Sequence, residues 1–389
     1  MTTRVLHVSD THIGKRQYGS DTRREDFIKA FQGAVEIAIH ESVDCVLHTG
    51  DLFDDSQPNI ESINDCARIF RKLSNSGIPF YGVVGNHERK LSSQWLDLFG
   101  KFESVHRLSS EPTIINDEVA LYGIDAVRKP EWSSYDFHIK EPEDDSLFRI
   151  LAMHELFEPL VPSYRGNPYE LSEVLERLNC EPDAIALGDY HAQVQETVNQ
   201  IPAFYPGSTE RCSTAETAER GVFILTIAPK KEEITFEERT IKSVDTVDAP
   251  RPFLSMTVDV GPNDTLSDIE EQLMAEVETK DASIEEYVVS VKVQGEDAIS
   301  ASDIRSLLER KNVKVPHVDD QRSPDITIDV DTPDEGEASD VSTLLEQELE
   351  EMELSNQVAE IDKIVRNEQV AKSSLRPRTE QILNPQKKE

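Results

Sequence analysis

The sequence predicts an α/β chain, and three observations carry that expectation. Short apolar runs recur and end abruptly in Asp, His or Asn. The first run is followed by an amphipathic helical pattern, and past a proline-marked break strand and helix patterns alternate again on a smaller scale. The first run, Val5-Leu6-His7-Val8, leads into Ser9-Asp10-Thr11-His12. Between residues 21 and 42, Phe27, Ala30, Phe31, Ala34, Ile37 and Ala38 repeat at helical spacing. Cys45-Val46-Leu47-His48 opens a second run that ends in Thr49-Gly50-Asp51-Leu52-Phe53-Asp54. A second helix is expected from Ile60 to Ser76, stopped by Gly77-Ile78-Pro79. Tyr81, Val83 and Val84 then end a third strand, and Gly85 permits the sharp turn that projects Asn86 and His87. Trp95 to Phe102 reads as a short helix, and Val119 to Ile124 and Phe148 to Met153 as strands of a second sheet. His154-Glu155 follows the latter, and Ala184 to Leu187 delivers Gly188-Asp189-Tyr190-His191. Lys129 to Asp145 reads as a solvated loop anchored by Trp132, Tyr135 and Phe137, and residues 155 to 170 as a wall of a substrate groove.

Five strand ends therefore present polar side chains to one rim, the edge where ligands of open α/β sheets gather. Asp, Asn and His without thiolate suit Mn(II), Fe(II) or Zn(II) better than the oxygen-only cages of Ca(II) or Mg(II).

At these residues the chain resembles the calcineurin-like metallophosphoesterases, whose pattern runs Asp-x-His, Gly-Asp, Gly-Asn-His, His and Gly-His-x-His. His12-Ile13-Gly14-Lys15-Arg16-Gln17-Tyr18-Gly19, with Arg24 and Asp26 behind it, and Tyr205-Pro206-Gly207-Ser208 resemble the DNA-repair branch, the MRE-eleven and SbcD nucleases. The resemblance covers about residues 1 to 230. It implies a two-sheet sandwich with two Mn(II) ions at one edge. Matched residue by residue, Asp10, His12, Asp51 and His191 would hold one ion, and Asp51, Asn86, His154 and Asp189 the other, with Asp51 bridging. His87 would orient the phosphate and protonate the leaving sugar oxygen, with Asp54 as its acceptor. The implied reaction is hydrolysis of phosphodiesters at DNA double-strand break ends, as exonuclease or endonuclease. A small-molecule phosphodiesterase and a mainly non-catalytic DNA-end tether are the alternatives. Two departures stand out: Asp189 where the pattern has His, and Asp54 where many members have His three residues after the bridging Asp.

Residues 1–246 are expected to form the nuclease domain. After Val247-Asp248-Ala249-Pro250-Arg251-Pro252, the stretches Phe253 to Val260, Leu266 to Glu278, Tyr287 to Val293 and Ile299 to Leu308 read as strand, helix, strand and helix. They make a small capping domain over 253–330, which the resemblance implies helps to choose DNA substrates. An acidic linker spans 331–340, and residues 341–389 form a helical tail. There Leu344, Leu345, Leu349 and Met352, then Val358, Ile361, Ile364 and Val365, make two amphipathic stretches suited to a partner. The resemblance implies a coiled-coil ATPase of the Rad-fifty type, and a homodimer.

A length of 389 residues allows two domains and a tail. With no apolar run long enough to cross a bilayer and Met1 leading directly into a strand, a cytoplasmic protein is expected. Cys45, Cys66, Cys180 and Cys212 are widely separated and read as reduced structural thiols. The formal charge of -36 is spread over all regions and reads as a solvated surface matched to very high intracellular salt. Phosphate contacts are expected at Lys15-Arg16 and Arg89-Lys90, close to the ligands, with Tyr18, Arg23, Arg24 and Arg211 as further candidates; each cation taken singly reads as an ordinary surface cation.

Overall fold

The structure, a computed structural model, describes residues 2–228, 234–241, 251–278, 283–296 and 298–322. The expected acidic linker, the two tail stretches and the end of the expected capping domain lie outside the described residues. Residues 1–322 form one compact unit.

Two six-stranded sheets build the larger part. The first has the order Ile234–Thr240, Gly221–Ile227, Thr3–Val8, Cys45–His48, Phe80–Gly82, Val105–Arg107; the last four strands are parallel. In Thr3–Val8, alternation divides the side chains between two cores. Val5 joins the apolar layer between the sheets with Leu47, Ile150 and Ala186, whereas Leu6 and Val8 meet the helices on the other side. Those helices are Asp21–His40, capped by the Ser20 hydroxyl, and Ile60–Asn75, capped by the Asn59 side chain. Phe31, Ala34, Phe70 and Leu73 pack them onto the sheet.

The second sheet runs Val194–Val198, Ile201–Tyr205, Ala184–Gly188, Phe148–His154, Val119–Ile124, Thr113–Ile115. Its central strands are parallel, so His154 and Gly188 end side by side. Trp132 and Phe137 are buried on its outer face, as their reading as anchors requires, although Lys129–Ser134 is a 3₁₀ turn. Phe157, in the stretch expected to wall a groove, is fully buried.

Several boundaries differ from expectation, two of them beside the rim. The third strand stops at Gly82, because the Val84 N–H turns to the Asp125 carboxylate at 2.9 Å. Val83 is held only by the His48 carbonyl, at 3.1 Å. The short helix ends at Phe99, where Gly100 caps it. Beyond residue 251, Phe253–Val260, Val288–Gly295 and Val315–Asp320 form a parallel three-stranded sheet covered by Leu266–Glu278 and Ala301–Arg310. The last of these strands was not anticipated.

This smaller layer is tied down by Arg23. Expected among the surface cations, Arg23 is fully buried: it pairs with Asp26 at 2.8 Å and Glu210 at 3.2 Å and donates to the Arg211 carbonyl at 3.0 Å. Its guanidinium lies 5.1 Å from the centre of the Phe253 ring, and Arg251 reaches back to Asp26 at 2.9 Å. Tyr18 stacks on His317 with ring centres 4.0 Å apart. Replacing Arg23 leaves the buried Glu210 carboxylate without a cation, while Asp26 keeps Arg251. Arg23→Met is expected to cost about 3–5 kcal/mol in urea unfolding. Arg16→Met, which breaks an exposed pair with Asp21, is expected to cost less than about 1 kcal/mol.

Candidate metal centre

The carboxyl ends of the parallel strands converge, and the chain reaches the rim through unusual backbone. Asp10, His12, Asp51 and Asp189 all adopt left-handed conformations, with φ of 52°, 43°, 57° and 89°. Two hydrogen bonds hold the first pair of loops in register: Asp10 N–H to the Gly50 carbonyl and His12 N–H to the Asp51 carbonyl, both 3.0 Å. Glycines supply the remaining room. A methyl group on Gly85 would lie 2.1 Å from Asp51 Oδ1, and one on Gly50 2.3 Å from His154 Nδ1.

Three imidazoles point Nε2 at the centre because an oxygen faces each Nδ1. His154 Nδ1 donates to the Thr49 carbonyl at 2.6 Å, His191 Nδ1 to Glu216 Oε1 at 2.9 Å, and His12 Nδ1 lies 3.2 Å from Asp54 Oδ1. The Asp51 carboxylate divides between two of them: Oδ2 is 3.8 Å from His12 Nε2, and Oδ1 is 3.3 Å from His154 Nε2. His12 Nε2 and His191 Nε2 are 3.3 Å apart, and Asp10 Oδ1 is 3.9 Å from the latter. Asp189 Oδ1 lies 3.8 Å from His154 Nε2 and 3.5 Å from the Asn86 amide nitrogen.

The donor set fits divalent ions. Nitrogens about 2.0–2.1 Å from a tetrahedral ion are separated by about 3.3 Å, close to the spacing between His12 and His191. His154 Nε2 is buried with no hydrogen-bond partner of its own, although it faces two carboxylates. Mixed Asp, Asn and His donors suit Mn(II), Fe(II) or Zn(II).

Charge at the centre is strongly coupled. Burial opposes ionisation of Asp51, but His154, then His12 and His87, hold its carboxyl well below the usual range. Burial likewise opposes a charge on His154, and Asp51 followed by Asp189 and Asp10 outweighs it, so this imidazole lies well above its ordinary value. His191 rises to about 11: burial works against its charge, and hydrogen bonds with Cys212 and Glu216 prevail. Asp189 is raised, first by burial and then by its neighbours Asp10 and Asp51.

The other expected site residues are placed as follows. His87 is 43% exposed whereas Asp51 is 1% exposed, and its Nδ1 donates to the backbone carbonyl of Asp54 at 2.9 Å. The Asp54 carboxylate, expected to serve His87, instead meets Lys15 at 2.7 Å and His12 at 3.2 Å, and is 3.8 Å from His87. Arg16 pairs with Asp21 at 2.9 Å; Arg89 donates to the Ala126 carbonyl and lies 3.7 Å from Glu131. Lys90 donates to the Ser56 carbonyl at 3.0 Å and sits 4.6 Å above the centre of Trp95. Arg89, Lys90 and Arg128 join Asn86 around a cleft of about 330 Å³. Sequence reasoning missed Glu216, which anchors His191, and Glu88, which is buried and accepts from the Gly85 N–H at 2.8 Å. It also read Cys212 as a structural thiol, whereas Cys212 lies beside His12 and His191.

The sequence profile described as calcineurin-like phosphoesterase matches residues 3–193. The chain is 32% identical to the DNA double-strand break repair protein Mre11 of Halobacterium salinarum, over 96% of this chain and 92% of that one. The chain belongs to the Mre11 family. Its counterpart in Haloferax volcanii is 31% identical over 96% of this chain and 80% of that protein, and the one in Methanosarcina mazei 35% identical over 98% of this chain. This chain spans 59% of the length of the Methanosarcina protein.

Within this Mre11-family centre, Glu88 is the group whose titration is most exposed to measurement. Burial, reinforced by the charge of Asp51, lifts it from an ordinary value of 4.5 to about 8. The folded chain therefore holds this proton where the unfolded chain has released it, and stability falls as pH rises between those values. Glu88→Gln, unfolded by denaturant in the presence of chelator, is expected to gain on the parent across that window. The difference should approach about 5 kcal/mol by pH 9 and vanish below pH 4.

Proposed function

We propose that this chain is a DNA nuclease that processes double-strand break ends, using two Mn(II) ions per chain. The observation that carries the reading is the division of one buried carboxylate, Asp51, between two imidazoles at 3.8 and 3.3 Å, the arrangement a bridging ligand requires. Asp10, His12, Asp51 and His191 would hold one ion and Asp51, Asn86, His154 and Asp189 the other. Bound there, paired dications make a water acidic enough to serve as nucleophile near neutral pH and offset phosphate charge.

The protein's own groups supply the rest. His87 is the exposed imidazole at the rim; its Nδ1 donates to the Asp54 carbonyl, and its Nε2, 3.8 Å from Asp51 Oδ2, would carry a proton to the leaving sugar oxygen. Asp54 lies 3.2 Å from His12 Nδ1 and would steady that ligand electrostatically, whereas Glu216 holds His191 by a hydrogen bond. Arg89 and Lys90, beside the cleft at Asn86, and Lys15 and Arg16 across the rim would track the phosphate backbone. The names of the haloarchaeal relatives support DNA ends as the substrate. Among the described residues no helix is long and apolar enough to cross a membrane, in keeping with a cytoplasmic site of action. A homodimer belongs to the same reading.

Manganese-dependent cleavage of labelled duplex ends at high salt tests the reading; turnover of a nitrophenyl phosphodiester without any action on DNA overturns it in favour of a small-molecule phosphodiesterase. His87→Ser is expected to retain both ions by metal analysis and to lose about 10²–10⁴-fold in cleavage rate. Loss of metal together with cleavage would assign His87 to the ligands.

The partner reading is that residues 341–370, whose apolar spacing in the sequence is that of amphipathic helices, dock on a coiled-coil ATPase. Their apolar faces need cover, and isolated helices this short are marginal in water. Truncation after Asp340 is expected to abolish co-purification with the ATPase and to leave manganese-dependent cleavage of single-stranded DNA unchanged. Undiminished co-purification places the partner elsewhere.

A further inference from the structure

Cys212 is the only cysteine of the four that is not buried, and it stands against the ligands. Its sulfur and one ring nitrogen each of His12 and His191 lie within 4.8 Å of one another, and the thiol donates to the Glu210 carbonyl at 3.7 Å. One carboxylate organises the group. Glu216 Oε1 accepts from His191 Nδ1 at 2.9 Å, and Glu216 Oε2 accepts from the Cys212 N–H at 2.8 Å. Arg220 holds that second oxygen at 3.1 Å, so the ring and the thiol-bearing backbone are fixed by the same anchor. Cys45, Cys66 and Cys180 sit in no comparable group among the described residues.

Two imidazoles and a thiol form a softer donor set than the Asp, Asn and His ligands assigned to manganese. Thiolate favours Zn(II) and Co(II) over Mn(II), and an imidazole-imidazole-thiolate set with a carboxylate from Asp10 or Asp51 completes a tetrahedron. We propose that Cys212 gives this centre a thiolate ligand for a soft divalent ion, Zn(II) foremost, held with His12 and His191 at the position of the first Mn(II). The proposal rests on the two-metal reading for its use of His12 and His191. On binding, the Cys212 thiol gives its proton to solvent and no redox change occurs. Zinc taken up this way displaces manganese and closes the first position to substrate, so the ratio of the two ions sets the state of the centre.

The test uses the full chain stripped of metal. With one equivalent of Zn(II), X-ray absorption should find one sulfur neighbour at about 2.3 Å. With Co(II), a sulfur-to-cobalt charge-transfer band should appear in the near ultraviolet. Cys212→Ser should take up Co(II) without that band, and its preference for zinc over manganese should drop about tenfold or more. Zinc, but not manganese, should protect Cys212 from alkylation. Should the variant fail to fold, the absorption spectrum and the alkylation of the parent decide. Zinc or cobalt bound by nitrogen and oxygen alone overturns the role of Cys212 and leaves the two-metal reading standing. A chain that takes up none of the three ions overturns that reading, and this one with it.

Discussion

The rim depends on keeping one carboxylate, Asp51, ionised in the interior. A lone buried anion is costly, and the surroundings are arranged around that cost. The His87 N–H donates to Asp51 Oδ1 at 3.0 Å, and imidazoles face both oxygens. Glu88, the other acid beside it, is pushed toward its neutral form by burial and by Asp51 itself, so that a second buried charge is not added nearby. The space for Asp51 exists because residue 85 has no side chain and because Asp51 accepts a left-handed backbone, which Asp tolerates better than most residues.

What the sequence made legible is the part set by local pattern. A strand buried on both faces is a continuous apolar run, so the residues that follow it, Asp10 with His12, Asp51, and Asp189 with His191, mark its end. The helix Asp21–His40 was legible for the same reason, its apolar residues recurring at three and four. What stayed hidden is contact between segments distant in the chain. Nothing near residue 191 announces that Glu216 will hold its ring, and nothing near Asp54 announces that its carboxylate turns to His12 while its carbonyl takes His87. Val194–Val198 was unassigned because it is an edge strand whose middle is exposed and polar. Arg23 looked like a surface cation because its partner Glu210 lies 187 residues away.

The acidity of the chain and an anionic substrate are compatible only if long-range repulsion is weak. A net charge of -36 acts over the Debye length, which shrinks from about 10 Å at 0.1 M salt to about 3 Å at 1 M. At the higher ionic strength the far acidic surface no longer reaches the cleft, and only groups within contact distance of a phosphate matter. Those groups are already engaged: Lys15 with Asp54, Arg16 with Asp21, Arg89 with Glu131. A phosphate of the proposed substrate would have to compete with carboxylates for each cation, which would weaken non-specific attraction and leave any bound dications as the dominant source of positive charge.

The same loop that carries Cys212 connects this centre to the small parallel sheet. Arg23 bonds the Arg211 carbonyl and pairs with Glu210, and both Arg23 and Arg211 face the Phe253 ring at the start of that sheet. The next residue, Cys212, bonds Glu216, which holds His191. Every link is buried or half-buried, and removal of Arg23 would strand Glu210 as an unpaired charge. The position of His191 is therefore set from two sides, by the strand Ala184–Gly188 that precedes it and by a loop pinned to Phe253. That double constraint explains why the layer beyond residue 251 belongs to the same compact unit as the candidate metal centre despite having an apolar core of its own.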